Sequence, residues 1–241
     1  MYTTEEKATL KRHFNRYCQI GGIPDYVRFE QPEYLHDLYE SILYRDILVR
    51  HHVAKEQTLK ILAYYLASHV GKEVSFNQLK NMLKLASATT VSDYCYFMEL
   101  SYLCFFVNRY SDSLKVQAHY GKKEYFIDHA LAKNVGFRIS GDQGRLLENI
   151  VFMELKHRGH EIYFYRGQKE CDFIIKTEHQ VAQVIQVTAH LDDDDIKERE
   201  LSGLNEAMSR FQLTTGLVLT ENTEYQLGSI IVMPVWKWLL I

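Results

Sequence analysis

A membrane-spanning helix needs a run of roughly 20 apolar residues, and nothing in this chain approaches one. No secretory signal opens it, so a reducing, cytoplasmic setting without membrane partners is expected. Cys18, Cys95, Cys104 and Cys171 form no C-x-x-C pair, and the histidines form no H-x-x-x-H pair. The clustered ligands of a zinc site are therefore missing. Cys95 and Cys104 sit in apolar stretches and read as core thiols. The pattern G-x-x-x-x-G-K-[ST] is also absent, which removes the loop whose backbone cradles ATP phosphates. No basic excess advertises nucleic acid, since the net charge is −3. Basic and acidic residues number 7 and 8 over 1–54, 9 and 6 over 55–127, and 12 and 17 over 128–241. Only the middle third is basic, and weakly.

What is present is a globular composition, 46% apolar and 24% charged over 241 residues. That suffices for one large domain or two modest ones. Residues 5–18 space Leu10, Phe14 and Tyr17 as one helix face. GGIPDYV then breaks the helix, because two glycines and a proline cannot continue it. A second helical segment over 31–50 has Tyr34, Leu38, Ile42 and Ile47 as its expected apolar stripe. Three more helical patterns follow: TLKILAYYLASHVG, SFNQLKNMLKLA opened by Ser75, and SATTVSDYCYFMELSYL opened by Ser87. CFFVNRYS and KVQAHYGKKEYFID then read as strands around a turn.

Three helices and a β-hairpin make a winged helix-turn-helix pattern over 55–127, with Arg109, Lys115, Lys122 and Lys123 decorating the wing. Thr89 and Thr90 would face DNA from the third helix. That helix offers Ser87, Thr89, Thr90, Ser92 and Asp93 but no Lys or Arg, whereas phosphate attraction needs cations. A protein-interaction module fits the same pattern.

Beyond residue 135 the periodicity changes to an α/β domain with a mixed sheet. A helix, GRLLENIVFMEL, carries Glu148. Strand CDFII carries Asp172, and strand VIQVT carries Gln186 and Thr188. The acidic run LDDDDIKERE opens a long amphipathic helix and reads as capping and solvation. A carboxylate on a helix followed by a hairpin with polar central positions is the layout of metal-dependent nucleases. Such sites hold Mg²⁺ between two carboxylates and place a lysine two residues after the second metal position. Here Gln186 stands where an acid belongs and Thr188 where the lysine belongs. An amide oxygen at Gln186 leaves a weak Mg²⁺ site with Glu148 and Asp172, while Thr188 supplies no ammonium for the developing charge. Lys176, on the face assigned to Asp172 and Ile174, is an alternative source of that charge. Structural roles are the alternative for both acids: Glu148 paired with Arg145 or an amide, and Asp172 closing a turn.

GGIPDYVRF, LYRDIL, KEVSFNQLKNMLKLASATTVSDY, GRLLENIVFMEL, CDFII with IQVT, and VWKWLL occur in the order of a prokaryotic family. The chain resembles the region downstream of the nucleotide-binding core in AAA-superfamily ATPases of bacteria and archaea. The resemblance implies a helical lid remnant over 1–54, a winged helix over 55–127 and a restriction-endonuclease-like domain over 128–241. It implies that the chain is a C-terminal piece of a longer ATPase, or a naturally short gene product, and that ATP is bound only with the missing upstream core. The leading expectation is a non-catalytic region binding DNA or a protein partner. A Mg²⁺-dependent DNA nuclease and a regulatory protein-binding module of the ATPase are the alternatives.

Overall fold

The computed structural model describes residues 2–136, 142–178, 180–191 and 194–241. Asp192 and Asp193 of the acidic run lie outside the described residues. Helix α1 (Thr4–Ile20) starts with a reciprocal cap. Glu6 N–H donates to Thr3 Oγ1 at 3.2 Å, and Thr3 N–H to Glu6 Oε2 at 2.7 Å, which satisfies two orphan donors. The helix ends at Gly21, whose φ of +74° suits glycine. α2 (Pro24–Phe29) follows, with proline at its first position.

Helix α3 (Tyr34–Ser41) runs directly into a π-helical stretch, Ile42–Val49. The buried residues are Leu35, Tyr39, Leu43, Ile47 and Leu48, with Ile47 as expected but not Tyr34, Leu38 and Ile42, which are half-buried. A strict spacing of four drifts off one face of a 3.6-residue helix, and wider π turns bring it back into line.

The chain continues through α4 (Glu56–Ala67), β1 (Glu73–Val74), α5 (Phe76–Met82), α6 (Ala88–Leu100), β2 (Cys104–Arg109), α7 (Leu114–Gln117), β3 (Lys122–Phe126) and α8 (His129–Val135). Ser87 caps α6 by accepting from Thr89 N–H at 3.0 Å. Ser75 precedes α5 without a side-chain capping bond. The expected strand over KVQAHYGKKEYFID is only partly one, because Leu114–Gln117 forms a short helix capped by Ser113. Then come α9 (Gln143–His157), β4 (Glu161–Arg166), β5 (Glu170–Thr177), β6 (Gln180–Val187), α10 (Asp194–Phe211), β7 (Gly216–Thr220), β8 (Tyr225–Leu227), β9 (Ile230–Pro234) and α11 (Val235–Trp238). Among the described residues no helix is long and apolar enough to cross a membrane.

Two compact units result. The first comprises Met1–Phe106 with Gly121–Gly141, and the second Val107–Tyr120 with Asp142–Ile241. Residues 107–120 belong with the second unit and 121–141 with the first.

In the first unit, Leu59, Leu62, Leu66, Met98, Leu103, Tyr125 and Phe126 form the core. β3 lies between β1 and β2, and β1 pairs with it antiparallel, Glu73 opposite Lys123. The GGIPDY turn is locked onto α8. Asp128 accepts from Gly22 N–H at 2.7 Å and from Ala130 and Leu131 N–H at 2.8 and 3.0 Å. A Cβ on Gly21 would lie 2.4 Å from both Asp128 carboxylate oxygens.

In the second unit the strand order is β2-β4-β5-β6-β7-β9-β8. β4, β5 and β6 pair antiparallel, β2–β4, β6–β7 and β7–β9 parallel, and β8–β9 antiparallel, making the sheet mixed. Helix α10 packs on it through Leu204, Ala207 and Met208, against Ile174, Val184, Val218 and Val232.

Candidate functional site

The second unit holds a cleft of about 550 Å³ lined by Glu148, Asp172, Gln186 and Thr188 together. Glu148 comes from α9, Asp172 from β5, and Gln186 and Thr188 from β6 and its C-terminal end. Asp142 caps α9 by accepting from Arg145 N–H at 3.2 Å, and the helical spacing sets Gly144, Arg145 and Glu148 toward one side. Asp172 and Gln186 face each other across β5 and β6, one step beyond the Phe173–Ile185 pair.

A β-bulge aims Asp172. Cys171 stands opposite Tyr165 and Ile174 opposite Tyr163, so three steps along β5 match two along β4. Cys171 and Ile174 consequently share one core cluster, and strict alternation through Asp172, Ile174 and Lys176 does not hold. Bulges commonly redirect one side chain beside a site.

The polar groups are largely committed to one another. Asp172 Oδ2 accepts from Val187 N–H at 2.9 Å, and Asp172 N–H donates to Gln186 Oε1 at 3.2 Å. The other end of the amide, Gln186 Nε2, donates to Glu200 Oε2 at 2.5 Å. Thr188 Oγ1 donates to the His190 carbonyl at 3.0 Å. All four expected positions are buried, at 5–8% exposure, so what reaches them must enter through the cleft.

Around these groups stand Arg145, Arg166, Lys169 and Arg199, with Asp142, Glu170 and Glu200 as ion-pair partners. Arg145 Nε lies 2.8 Å from Asp142 Oδ2, and Arg166 Nε 3.8 Å from Glu170 Oε2. Arg199 donates twice to Glu200 Oε1, at 3.1 Å from Nε and 2.6 Å from Nη2. The hydrogen bond and charge of Glu200, with Asp172 adding to them, push the Arg199 guanidinium above its ordinary pKa.

Arg199 and Glu200 were not singled out from the sequence. One signal was there to find: Glu200 stands four residues from both Ile196 and Leu204, a carboxylate inside the apolar stripe of an amphipathic helix. Gly203 sets how closely α10 approaches, since a Cβ there would fall 2.0 Å from the Glu170 carbonyl oxygen.

Lys176 does not fill the lysine's place. It is not among the lining residues, and its Nζ lies 3.5 Å from Glu161. Among the described residues no three His, Cys, Asp or Glu side chains form a group able to hold a metal ion. A Mg²⁺ ion here would have Glu148, Asp172 and the Gln186 amide oxygen as its donors.

The positions expected to touch DNA elsewhere do not converge within either unit. Thr89, Thr90, Lys122 and Lys123 lie in the first unit, Arg109 and Lys115 in the second. Lys123 is only 2% exposed, so it is not a wing decoration: its strand, β3, runs between β1 and β2. Lys122 is half-buried with Nζ 5.9 Å from the Phe76 ring centroid, and burial lowers its pKa. Arg109 stacks 4.1 Å over Tyr120 and donates to the Arg166 carbonyl. Lys115 is exposed on α7, and Thr89 is exposed near the start of α6.

Residues 11–142 match the family model described as Domain of unknown function (DUF8612), and residues 143–238 match Domain of unknown function (DUF4143). The chain is similar to "Uncharacterized protein MJ1544" of Methanocaldococcus jannaschii, 30% identical over 262 aligned positions that cover 99% of this chain and 58% of the relative. It is also similar to an "Uncharacterized protein" of Haemophilus influenzae, 27% identical over 179 positions, covering 71% of this chain and 45% of that protein. The chain thus spans about half the length of these curated relatives. No solved structure matches it.

Proposed function

We propose, for a chain that belongs to the DUF8612 family over residues 11–142, that its second unit is a nuclease-like domain that grips a nucleic-acid backbone without cutting it. The observation that carries this reading is the convergence of Glu148, Asp172, Gln186 and Thr188 on one cleft. On this reading, helix, bulged strand and neighbouring strand carry the positions expected of a two-carboxylate nuclease, with neutral chemistry at two of them. Gln186 adds no charge for a divalent ion, and Thr188 no ammonium for the attacking oxygen. Losing one such stabiliser costs on the order of 10²–10³ in rate. The groups that remain suit holding: Arg145, Arg166, Lys169 and Arg199 stand at the cleft wall, three of them steadied by carboxylates, and present donors to a phosphate.

On this reading the first unit is a helical lid remnant leading into a winged helix. The order helix–strand–helix–helix–strand, then the short helix α7 and a last strand, with β1 paired to β3, supports that. The parent protein would be an AAA-superfamily ATPase of a prokaryote. The curated relatives, of which the chain spans 58% and 45%, leave room for such a core.

A regulatory protein-binding module is the second reading. Tyr96 and Leu100 on α6 and the adjacent Tyr102 are 57%, 47% and 64% exposed, and α6 carries no Lys or Arg.

Fluorescence anisotropy with a labelled DNA duplex separates the two. The first reading expects affinity that falls with salt at a log–log slope of about −2 to −4, roughly 0.9 per phosphate neutralised. Arg145→Ala with Lys169→Ala should flatten that slope by about two. A salt-independent signal, or none at low salt, would leave the protein-binding module.

A further inference from the structure

We infer that Arg199, held by Glu200, supplies in this cleft the positive charge that a divalent ion supplies in a working nuclease, so that phosphodiester binding here needs no metal. The inference rests on the nucleic-acid reading of the cleft and deepens it.

Three observations lead to it. The first is where α10 sits. Gly203 lets the helix backbone close onto the Glu170 carbonyl, and three residues earlier Glu200 reaches Gln186 on β6. Glu200 is thereby drawn in, its side chain only 12% exposed, while Arg199 beside it stays 66% exposed at the cleft wall.

The second is how the guanidinium is held. Both of its hydrogen bonds among the described residues go to one oxygen, Glu200 Oε1. An arginine has five N–H donors in a fixed planar fork, so donors remain for a ligand. A phosphate presents two oxygens at the spacing that a guanidinium edge recognises. A pinned arginine loses less freedom on binding than a loose one.

The third is the charge arrangement around it. An acid at position 186 would add a further negative charge beside Asp172 and Glu200. The neutral amide instead donates to Glu200 and accepts from Asp172 N–H, bridging the two acidic residues with hydrogen bonds. Asp172 Oδ2 is further satisfied by Val187 N–H, and Glu200 is balanced by Arg199. Glu200, by hydrogen bond and charge, and then Asp172 favour the charged guanidinium, so the groups that would repel a phosphate also fix the group that attracts it.

The test titrates the full chain into a fluorescein-labelled DNA duplex in EDTA and again in excess magnesium. The expected dissociation constants agree within about twofold. Arg199→Ala, a change at an exposed side chain, should weaken binding about tenfold or more in both buffers. Lys7→Ala, which removes the same charge from exposed α1, should leave binding within about twofold. Binding that appears only with magnesium overturns the inference and leaves the nucleic-acid reading standing. So does binding in EDTA that ignores Arg199→Ala, or that falls equally with Lys7→Ala. Absence of binding in both buffers defeats the reading and the inference together.

Discussion

Replacing Gln186 by glutamate puts the central hydrogen-bond bridge of the cleft to a quantitative test. In the wild type Gln186 Nε2 donates to Glu200 Oε2 at 2.5 Å. The substitution exchanges that donor for a second carboxylate. Two unit charges at this separation repel by roughly 6–7 kcal/mol at an effective dielectric of about 20. Rotation of Glu200 toward Arg199 relieves much of this, and a net loss of about 2–4 kcal/mol at pH 8 is expected. The sign of the pH dependence follows from proton sharing. Like charges raise the folded-state pKa of the pair above its unfolded value of about 4.3. The variant is then least impaired below that value. It loses stability at about 1.4 kcal/mol per pH unit as pH rises through the raised folded pKa. Urea melts of both proteins between about pH 5 and about pH 8 read this directly, and added Mn²⁺ should recover part of the loss in the variant alone. If the two proteins keep the same stability difference at every pH, Gln186 and Glu200 are not in contact and the account of the cleft is wrong.

Other substitutions address the supports of the two units. Gly203→Ala should cost about 2–4 kcal/mol, because its Cβ would meet backbone 2.0 Å away; a urea midpoint unchanged from wild type would contradict the packing described. Asp128→Ala removes the acceptor of three backbone N–H groups and should cost about 2–4 kcal/mol, measured in the same way. Glu124 is fully buried and its carboxylate has no hydrogen-bond partner among the described residues, and burial pushes its carboxyl well above the usual range. Stability is therefore full below the unfolded pKa and falls by about 1.4 kcal/mol per unit as pH rises toward the folded value. Glu124→Gln should be the more stable protein at pH 8 and lose that advantage near pH 5, and parallel pH profiles would refute the assignment.

Local patterns in the sequence carried most of the longer elements and the strand pair bearing Asp172 and Gln186, but not β1, α7 or α8. Capping at Thr3 and Ser87, the break at Gly21 and Gly22, and the helix carrying Glu148 are all signalled by neighbouring residues. What depends on packing was not legible. The strict four-residue spacing of Leu35, Tyr39, Leu43 and Ile47 stays a buried row only because α3 gives way to π turns at Ile42. The bulge at Asp172 exists only against β4. Lys123 has the composition of a surface residue, yet its strand is a central one. Glu200 lies fourteen residues from Gln186 and meets it through the approach that Gly203 permits.

The most direct measurement of the central claim incubates the wild-type chain with an end-labelled DNA duplex and Mg²⁺ or Mn²⁺, reading binding and strand integrity on the same sample. The account predicts salt-sensitive binding with the duplex intact after prolonged incubation. Cleavage by the unmodified chain, abolished by Asp172→Ala, would contradict it.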